Sequence, residues 1–176
     1  MKRDLTSLLT AQRETAATAP YPTLAIRRER LARLALMTRR HQRAIIQAIQ
    51  ADFGQRSEVE IRLAEISSVL HAIRHARLHL WHWMRPQVAT MPWRLWPARA
   101  RISPQPLGVV GVMSAWNYPW CLALMPIVDA LAAGNTVLLK PSEQAPHTSA
   151  LLAQLVPQYF TDDEFVVIEG GEDVAA

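Results

Sequence analysis

Three polar side chains stand directly after apolar runs of the sequence, where they could act on a ligand. Asn117 closes the run GVVGVMSAWNYP, and Lys140 and Glu143 follow the run NTVLL. Asn117 either begins a turn ahead of Pro119 or is directed at a ligand. A carboxylate can accept both hydroxyl hydrogens of a ribose diol, and a lysine can donate to a hydroxyl oxygen or bind a 2′-phosphate. The G-x-G-x-x-G fingerprint is absent, so the spacing alone leaves nucleotide binding and ordinary solvated loop ends equally open.

The elements that position these residues alternate between strand and helix. LGVVGVM, NTVLLK and EFVVIEGG are short apolar runs of the kind found in strands covered on both faces. One helix is predicted from Pro119 to a stop at Gly134, and another from Pro146 to about Val156. This βαβαβ order predicts an α/β fold with a parallel sheet, in which ligands bind beyond the carboxyl ends of the strands. The segments expected to converge there are residues 114–119, 140–143 and 169–171.

The first half of the chain is predicted to be helical. Apolar spacing indicates a helix over residues 23–50, with Gly54 as its stop. Ser57 and Glu60 form an S-x-x-E pattern, which predicts a capping box and a second helix to about residue 84. The apolar stripe of that second helix is Ile66, Val69, Leu70, Ile73, Ala76, Leu80 and Met84.

Four histidines, at positions 71, 75, 79 and 82, lie on the face of the second helix opposite its apolar stripe. Imidazoles four residues apart can share a metal ion. No carboxylate or cysteine completes an obvious ligand set, so we predict no metal site. A polar helix face is the ordinary place for histidines, and a subunit interface is the second interpretation.

The chain carries a formal charge of +4, and many of its arginines are concentrated between residues 27 and 43. A basic helix face can contact nucleic acid or an acidic surface. No nucleic-acid-binding motif accompanies the arginines. We therefore predict no nucleic-acid partner, and expect a solvated face whose acidic partners come from a neighbouring element. The arginines are Arg27, Arg28, Arg30, Arg33, Arg39, Arg40 and Arg43.

Composition also bears on the compartment. Cys121 is the single cysteine, which excludes an internal disulfide and is typical of a reducing environment. The first fifteen residues lack the apolar stretch of a secretory signal. The most apolar region, residues 107–139, is interrupted by prolines and polar residues before it reaches the ~18 apolar residues of a membrane span. We expect a cytoplasmic protein with no membrane partner.

Residues 86–106 contain five prolines and two tryptophans among basic residues. The prolines exclude a long helix, because each removes a backbone donor and fixes φ. An extended connector or an edge hairpin is predicted, with RARIS as one short strand. The tryptophans are interpreted as packing anchors rather than as platforms for nucleic-acid bases.

Residues 107–146 strongly resemble the cofactor-binding segment of the aldehyde dehydrogenase superfamily. The resemblance rests on P-x-G-V-x-G, W-N-Y-P, ALAAGNTVLLK and P-S-E, all in order. Upstream, RRERLARL, AIQADFGQRSEVE, LAEI and WMRP are similar to the short-chain class with coniferyl-aldehyde-type members. The resemblance covers roughly residues 22–171. It implies the aldehyde dehydrogenase fold, with N-terminal helices and a connector over residues 1–106 and part of a Rossmann-like sheet over residues 107–176.

The resemblance implies roles for individual residues. Asn117 matches the residue whose amide donates to the aldehyde oxygen as that oxygen becomes negative. Lys140 and Glu143 match the residues that hold the adenosine ribose of NAD or NADP, and Ser142 belongs to the same P-S-E motif. Ala115 departs from the usual proline before the tryptophan, which makes this loop less rigid. The positions that match residues lining the dinucleotide are Met113, Ser114, Ala115 and Trp116.

The family chemistry also needs a cysteine nucleophile and a carboxylate base, and both occur in the family well beyond residue 176. Cys121 matches no family nucleophile and is expected to be a buried, unreactive thiol. We therefore expect a fragment that is inactive alone and self-associates through its uncovered sheet. The resemblance implies an aromatic or medium-chain aldehyde substrate, such as coniferyl aldehyde, and a homodimer formed through a hairpin that includes residues 97–106. A truncated binding or assembly module is the alternative.

Overall fold

The protein is represented by a computed structural model that describes residues 5–171. Its first half is helical. The helices in this half are α1 (Leu5–Thr18), α2 (Leu24–Arg40), α3 (Gln42–Phe53), α4 (Glu58–Glu60) and α5 (Ser68–Trp83), with a π-helical segment (Ile61–Ser67) joining α4 to α5. A two-stranded antiparallel hairpin follows, made of β1 (Gln87–Ala89) and β2 (Ala100–Ile102). This hairpin confirms the extended arrangement predicted from the prolines. The prediction that Trp93 and Trp96 are packing anchors is wrong, since they are 81% and 83% exposed.

The second half forms a three-stranded parallel sheet. Its elements in chain order are β3 (Val109–Met113), α6 (Pro119–Ala133), β4 (Thr136–Lys140), α7 (Pro146–Leu155) and β5 (Phe165–Val167). The strands lie side by side in the order β3–β4–β5, with Val110 opposite Val137 and Leu138 opposite Val166. The predicted α/β class and βαβαβ order are confirmed.

Two glycines end helices as the sequence predicts. Gly54 follows α3 with a φ of 73°, and its N–H donates to the carbonyl of Gln50. Gly134 follows α6 with a φ of 93°, in the left-handed region that a Cβ disfavours.

Two predictions for the first half are wrong in detail. The helix predicted over residues 23–50 is two helices, because the chain departs from helical geometry at His41, which has a φ of −107°. The His41 ring instead contacts the hydroxyl of Tyr159 at 2.9 Å. Ser57 does precede the second helix, but its side chain makes no capping hydrogen bond, so the capping box is absent.

One hydrophobic core joins the two halves. It includes Leu31 and Leu34 of α2, Ile73 of α5, Ile127 of α6 and Phe165 of β5, all at most 1% exposed. The stripe predicted on α5 is confirmed, since Ile66, Val69, Ile73, Ala76 and Leu80 are buried and Leu70 and Met84 are partly buried.

Part of the arginine-rich face is not solvated, contrary to expectation. Arg27 is buried, and its guanidinium donates to the carbonyls of Ala132 and Ala133 at 3.1 and 2.7 Å, which satisfies the end of α6. Arg30 and Arg33 pair with Glu164 at 3.0 and 2.7 Å. The expectation that a neighbouring element supplies an acid is confirmed, but as a largely buried network.

Candidate active site

The sheet brings the predicted site residues to one edge. Met113 lies opposite Lys140 in the parallel register, and the Ser114 N–H donates to the Lys140 carbonyl at 3.1 Å. The loop that begins at Ser114 and the loop after Lys140 therefore leave the sheet side by side. The Ile168 N–H continues the ladder to Leu139, which brings residues 169–171 to the same edge.

Lys140 and Glu143 form an ion pair at this edge. The Lys140 Nζ atom lies 2.8 Å from Glu143 Oε2, and the side chains are 14% and 52% exposed. The hydrogen bond and the charge of Lys140 hold the pKa of the Glu143 carboxyl below its ordinary value. The pair presents an acceptor beside a donor, which is the combination that a ribose diol requires.

The two serines at the edge differ. The Ser142 hydroxyl accepts from the Gln144 N–H at 3.3 Å, and the Ser142 carbonyl accepts from Ser149 Oγ at 2.8 Å. Ser142 therefore shapes the turn that leads into α7. The Ser114 hydroxyl is buried and has no hydrogen-bond partner among residues 5–171. Because Ser114 Oγ has almost no exposed surface, its hydroxyl is not a ligand contact in this conformation.

Met113, Ala115 and Trp116 expose their side chains at the same edge, with Met113 72% and Trp116 50% exposed. The Trp116 ring stacks on Phe53 at the end of α3, with 6.2 Å between ring centroids and 19° between planes. Met113 and Trp116 therefore line the surface of this edge instead of packing in the hydrophobic core, and Phe53 holds the Trp116 ring in place.

Asn117 is exposed, and its two polar groups have different surroundings. Its backbone carbonyl accepts from Arg56 Nη1 at 2.9 Å. Its side-chain amide makes no hydrogen bond within the part of the chain that the structure describes. The backbone is therefore held while the amide remains available as a donor. Asn117 does not cap the helix after Pro119, since the residue before that helix is Tyr118 and makes no side-chain cap.

Sequence reasoning missed Arg56 and Glu65, which support this loop from the helical half. Arg56 Nη1 also lies 3.2 Å from Glu65 Oε1, and Glu65 Oε2 accepts from the N–H groups of Trp120 and Cys121, both at 2.9 Å. Burial raises the pKa of Glu65, and these two N–H groups and Arg56 oppose that rise. Their motifs, QRSEVE and LAEI, carry the family resemblance, but 52 or more residues separate them from Asn117.

Cys121 lies in the first turn of α6 and is partly buried. Burial raises the pKa of its thiol, and the nearby Glu65 charge raises it further. A thiol with a raised pKa is a weak nucleophile at neutral pH, because the thiolate is the reactive form. Burial and the Glu65 charge therefore both disfavour the thiolate of Cys121.

The histidine face of α5 holds no metal-binding arrangement. The rings of His75 and His79 stack at 4.1 Å between centroids, and His79 stacks on Trp83 at 5.9 Å. Among residues 5–171, no group of three or more His, Cys, Asp or Glu side chains is placed to hold a metal ion.

Among residues 5–171, no helix is long and apolar enough to cross a bilayer.

An open sheet face lies toward the amino ends of the strands rather than at this edge. A cleft of about 660 Å³ is lined by Val109, Gly111 and Leu138 of the strands and by Leu9 and Arg13 of α1. The helix α1 covers only part of this face. A parallel sheet whose carboxyl edge gathers polar groups is the architecture of α/β proteins that bind ligands at that edge.

Comparison with known proteins defines the family. The sequence model of the aldehyde dehydrogenase family matches residues 2–176. Coniferyl aldehyde dehydrogenase of Pseudomonas sp. strain HR199 is 42% identical over 155 residues, which are 87% of this chain and 31% of that protein. AldH of Staphylococcus aureus, in its substrate-bound state, superposes with a TM-score of 0.94 at 28% identity, covering 98% of this chain and 38% of AldH.

The chain therefore belongs to the aldehyde dehydrogenase family. The matching relatives also include family 3 members, such as the F1 member of Arabidopsis thaliana, which is 37% identical over 175 residues and 99% of this chain. The chain spans about a third of the length of the curated relatives that it matches, since it covers 31%, 36% and 36% of three of them.

Proposed function

We propose that this chain supplies the ribose-binding half of an NAD(P) site, and the oxyanion donor, of an enzyme that oxidises an aldehyde to a carboxylic acid. The observation that carries the proposal is the placement of Asn117 and Lys140. A free amide and a Lys–Glu pair lie on adjacent loops at the carboxyl edge of one parallel sheet. Family membership supports the same assignment.

The residues at the edge fit a dinucleotide. Lys140 would donate to a ribose hydroxyl while Glu143 accepts from the diol, with the Ser114 backbone beside them. Met113, Ala115 and Trp116 would line the wall, and Ser142 would hold the turn. When bound, the cofactor supplies the hydride acceptor. NAD is favoured over NADP, because Glu143 already neutralises Lys140 and would repel a 2′-phosphate.

Asn117 would stabilise negative charge on the substrate oxygen. Its amide is exposed, has no intramolecular partner and sits on a backbone held by Arg56. Such a preorganised donor contributes where charge develops in the transition state, and loss of one donor costs about 2.7–4 kcal/mol. This effect would appear in a polypeptide that also carries the nucleophile and the base.

The 176-residue chain is expected to bind cofactor without turnover. Its single cysteine, Cys121, lacks an activating base, and its thiol pKa is raised. Thioester chemistry needs a thiolate nucleophile and a base that activates water. We assign neither role to a residue of this chain.

We propose an aromatic or medium-chain aldehyde as substrate, since several relatives are named coniferyl aldehyde dehydrogenases.

A homodimer formed through the β1–β2 hairpin fits the apolar surface there, where Val88 is 91%, Trp93 81% and Trp96 83% exposed. That same surface favours the second candidate, a non-catalytic assembly module. The single cysteine is consistent with a reducing compartment such as the cytoplasm.

Calorimetric titration of the chain with NAD and NADP, beside an aldehyde oxidation assay, tests the proposal. We expect saturable NAD binding that Lys140→Ala abolishes and that Arg39→Ala leaves unchanged. Arg39 is an exposed arginine of α2 and provides the matched loss of one positive charge. Absence of binding would favour the assembly module, and turnover would contradict our interpretation of Cys121.

A further inference from the structure

Arg56 touches the Asn117 loop at two consecutive residues and reaches a third, Trp116, only through Phe53. Its Nη1 atom donates to the Asn117 carbonyl at 2.9 Å. Its guanidinium lies 5.0 Å from the centre of the Tyr118 ring and 3.9 Å from that of Phe53, on which Trp116 stacks. Guanidinium groups bind aromatic faces and carbonyl oxygens at the same time because the plane and the edge interact separately. Arg56 therefore holds the Asn117 carbonyl directly and packs against the rings of Tyr118 and Phe53.

Glu65 fixes both Arg56 and the chain that follows the loop. One carboxylate oxygen lies 3.2 Å from Arg56 Nη1, and the other accepts from the N–H groups of Trp120 and Cys121. The Glu65 side chain is 0% exposed. A carboxylate at a helix N-terminus satisfies donors that have no partner within the helix and opposes the positive end of its dipole. Glu65 therefore binds both Arg56 and the first turn of α6, the helix that follows the loop.

We propose that Arg56 and Glu65 are positioning residues that hold residues 116–121 so that the Asn117 amide projects freely from the carboxyl edge of the sheet. The role of Asn117 as an oxyanion donor rests on the proposed function. The positioning itself rests on the contacts alone. An amide stabilises developing charge only where its direction is set before the reaction, since reorienting it then would consume the benefit.

A general stabilising role would predict a different outcome. If Arg56 and Glu65 only contributed stability, any equally destabilising core substitution would loosen the Asn117 loop to the same extent. If they position it, loss of either residue changes the loop locally, while a matched core substitution does not. Hydrogen exchange and side-chain resonances distinguish these cases, because local opening differs among regions of one protein.

The experiment compares Arg56→Ala, Arg56→Lys and Glu65→Gln with two controls in the 176-residue chain. Arg62→Ala is the surface control, because Arg62 pairs with Glu58 and Gln42 and does not touch the loop. Ile73→Val is the stability control in the buried core of α5. NMR measures the Asn117 side-chain amide resonance and its order, together with exchange of the Trp120 amide proton.

We expect Arg56→Ala to shift the Asn117 side-chain amide resonance and to lower its order, with Arg56→Lys intermediate. Glu65→Gln is expected to speed exchange of the Trp120 amide by roughly tenfold, because Gln supplies one acceptor oxygen where Glu supplied two. Both controls should leave these signals unchanged. Unchanged Asn117 signals in Arg56→Ala, or equal changes in Ile73→Val, would overturn the proposal.

NAD titration of the same samples separates this proposal from the proposed function. Altered Asn117 signals without NAD binding to the wild-type chain would uphold the positioning and refute the cofactor site. Normal NAD binding with unaltered Asn117 signals in Arg56→Ala would refute the positioning and uphold the cofactor site.

Discussion

Lys140 Nζ and Glu143 Oε2 lie 2.8 Å apart at the carboxyl edge of the sheet, so the only described lysine at this edge already has a carboxylate partner. This relationship leads to a prediction on cofactor preference. Glu143→Gln removes the negative charge and leaves Lys140 free to bind a 2′-phosphate. We expect the ratio of NADP to NAD affinity to rise by roughly tenfold, because a like-charge contact is removed.

Titration of wild type and Glu143→Gln with both dinucleotides measures that ratio. Glu29→Gln is a control that removes an exposed carboxylate from α2. A ratio that does not change in Glu143→Gln would mean that Glu143 does not face the adenosine ribose.

Gly134 provides a prediction about stability. Its φ is +93°, and a Cβ atom added there would lie 2.7 Å from Arg27 Cζ. Gly134→Ala should therefore both strain the backbone and displace Arg27 from the carbonyls at the end of α6. We expect the free energy of unfolding in urea to fall by more than about 2 kcal/mol.

Gly111→Ala is the matched control in β3, where an added Cβ would meet nothing within 4 Å. Alanine reduces the entropy of the unfolded chain at such a position, so we expect a change within about 1 kcal/mol. Equal effects of the two substitutions would show that the Arg27 contact does not stabilise the junction.

Gln12 provides a prediction about how α1 is attached to the sheet. Its buried side-chain amide donates to the carbonyls of Val137 and Asp162 at 3.0 and 2.9 Å. Gln12→Leu preserves most of the volume but removes the donor, and the cost of an unsatisfied buried acceptor is about 1–3 kcal/mol. Urea denaturation should show a loss of that size. Gln47→Leu, at an exposed position of α3, should change stability by less than about 0.5 kcal/mol.

Glu164 makes the stability of the protein depend on pH. Burial alone would raise the pKa of Glu164, but the hydrogen bonds and charges of Arg33 and Arg30 outweigh it and lower the pKa below the ordinary 4.5. A lowered folded-state pKa gives stability that is present above the unfolded-state pKa and is lost as pH falls through the folded-state pKa. Wild type should therefore lose this contribution below about pH 4.5.

Glu164→Gln should lack that loss and should be less stable at pH 7 by about 2–3 kcal/mol, because Arg30 loses its carboxylate partner and Arg33 loses the more buried of its two. Melting temperatures measured from pH 7 down to pH 3 test this. Glu29→Gln is the control, since Glu29 pairs with Arg33 but is 57% exposed, so its effect should stay below about 1 kcal/mol. Parallel pH profiles for wild type and Glu164→Gln would contradict the prediction.

Much of the fold follows from local sequence signals. The apolar runs that become β3 and β4, the proline at the start of α6 and the stop at Gly134 are each properties of adjacent residues. The parallel order of the strands follows from the intervening helices, since parallel strands require a crossover.

The positioning contacts could not be predicted in this way. Arg56 and Asn117 are 61 residues apart, and Glu65 reaches the first turn of α6 across 55 residues. Periodicity specifies which face of a helix is buried, but not which polar side chain of that helix reaches a distant loop. The break at His41 coincides with another long-range contact, since the His41 ring meets the hydroxyl of Tyr159, 118 residues away.

We propose above all that the carboxyl edge of this sheet binds the dinucleotide. Titration of the 15N-labelled chain with NAD, monitored residue by residue by NMR, tests it most directly. We predict saturable shifts of the amide resonances of Ser114, Trp116, Lys140 and Glu143, with those of His75 and His79 on the far face of α5 unchanged. Shifts confined to other surfaces, or no shifts at millimolar NAD, would contradict the claim.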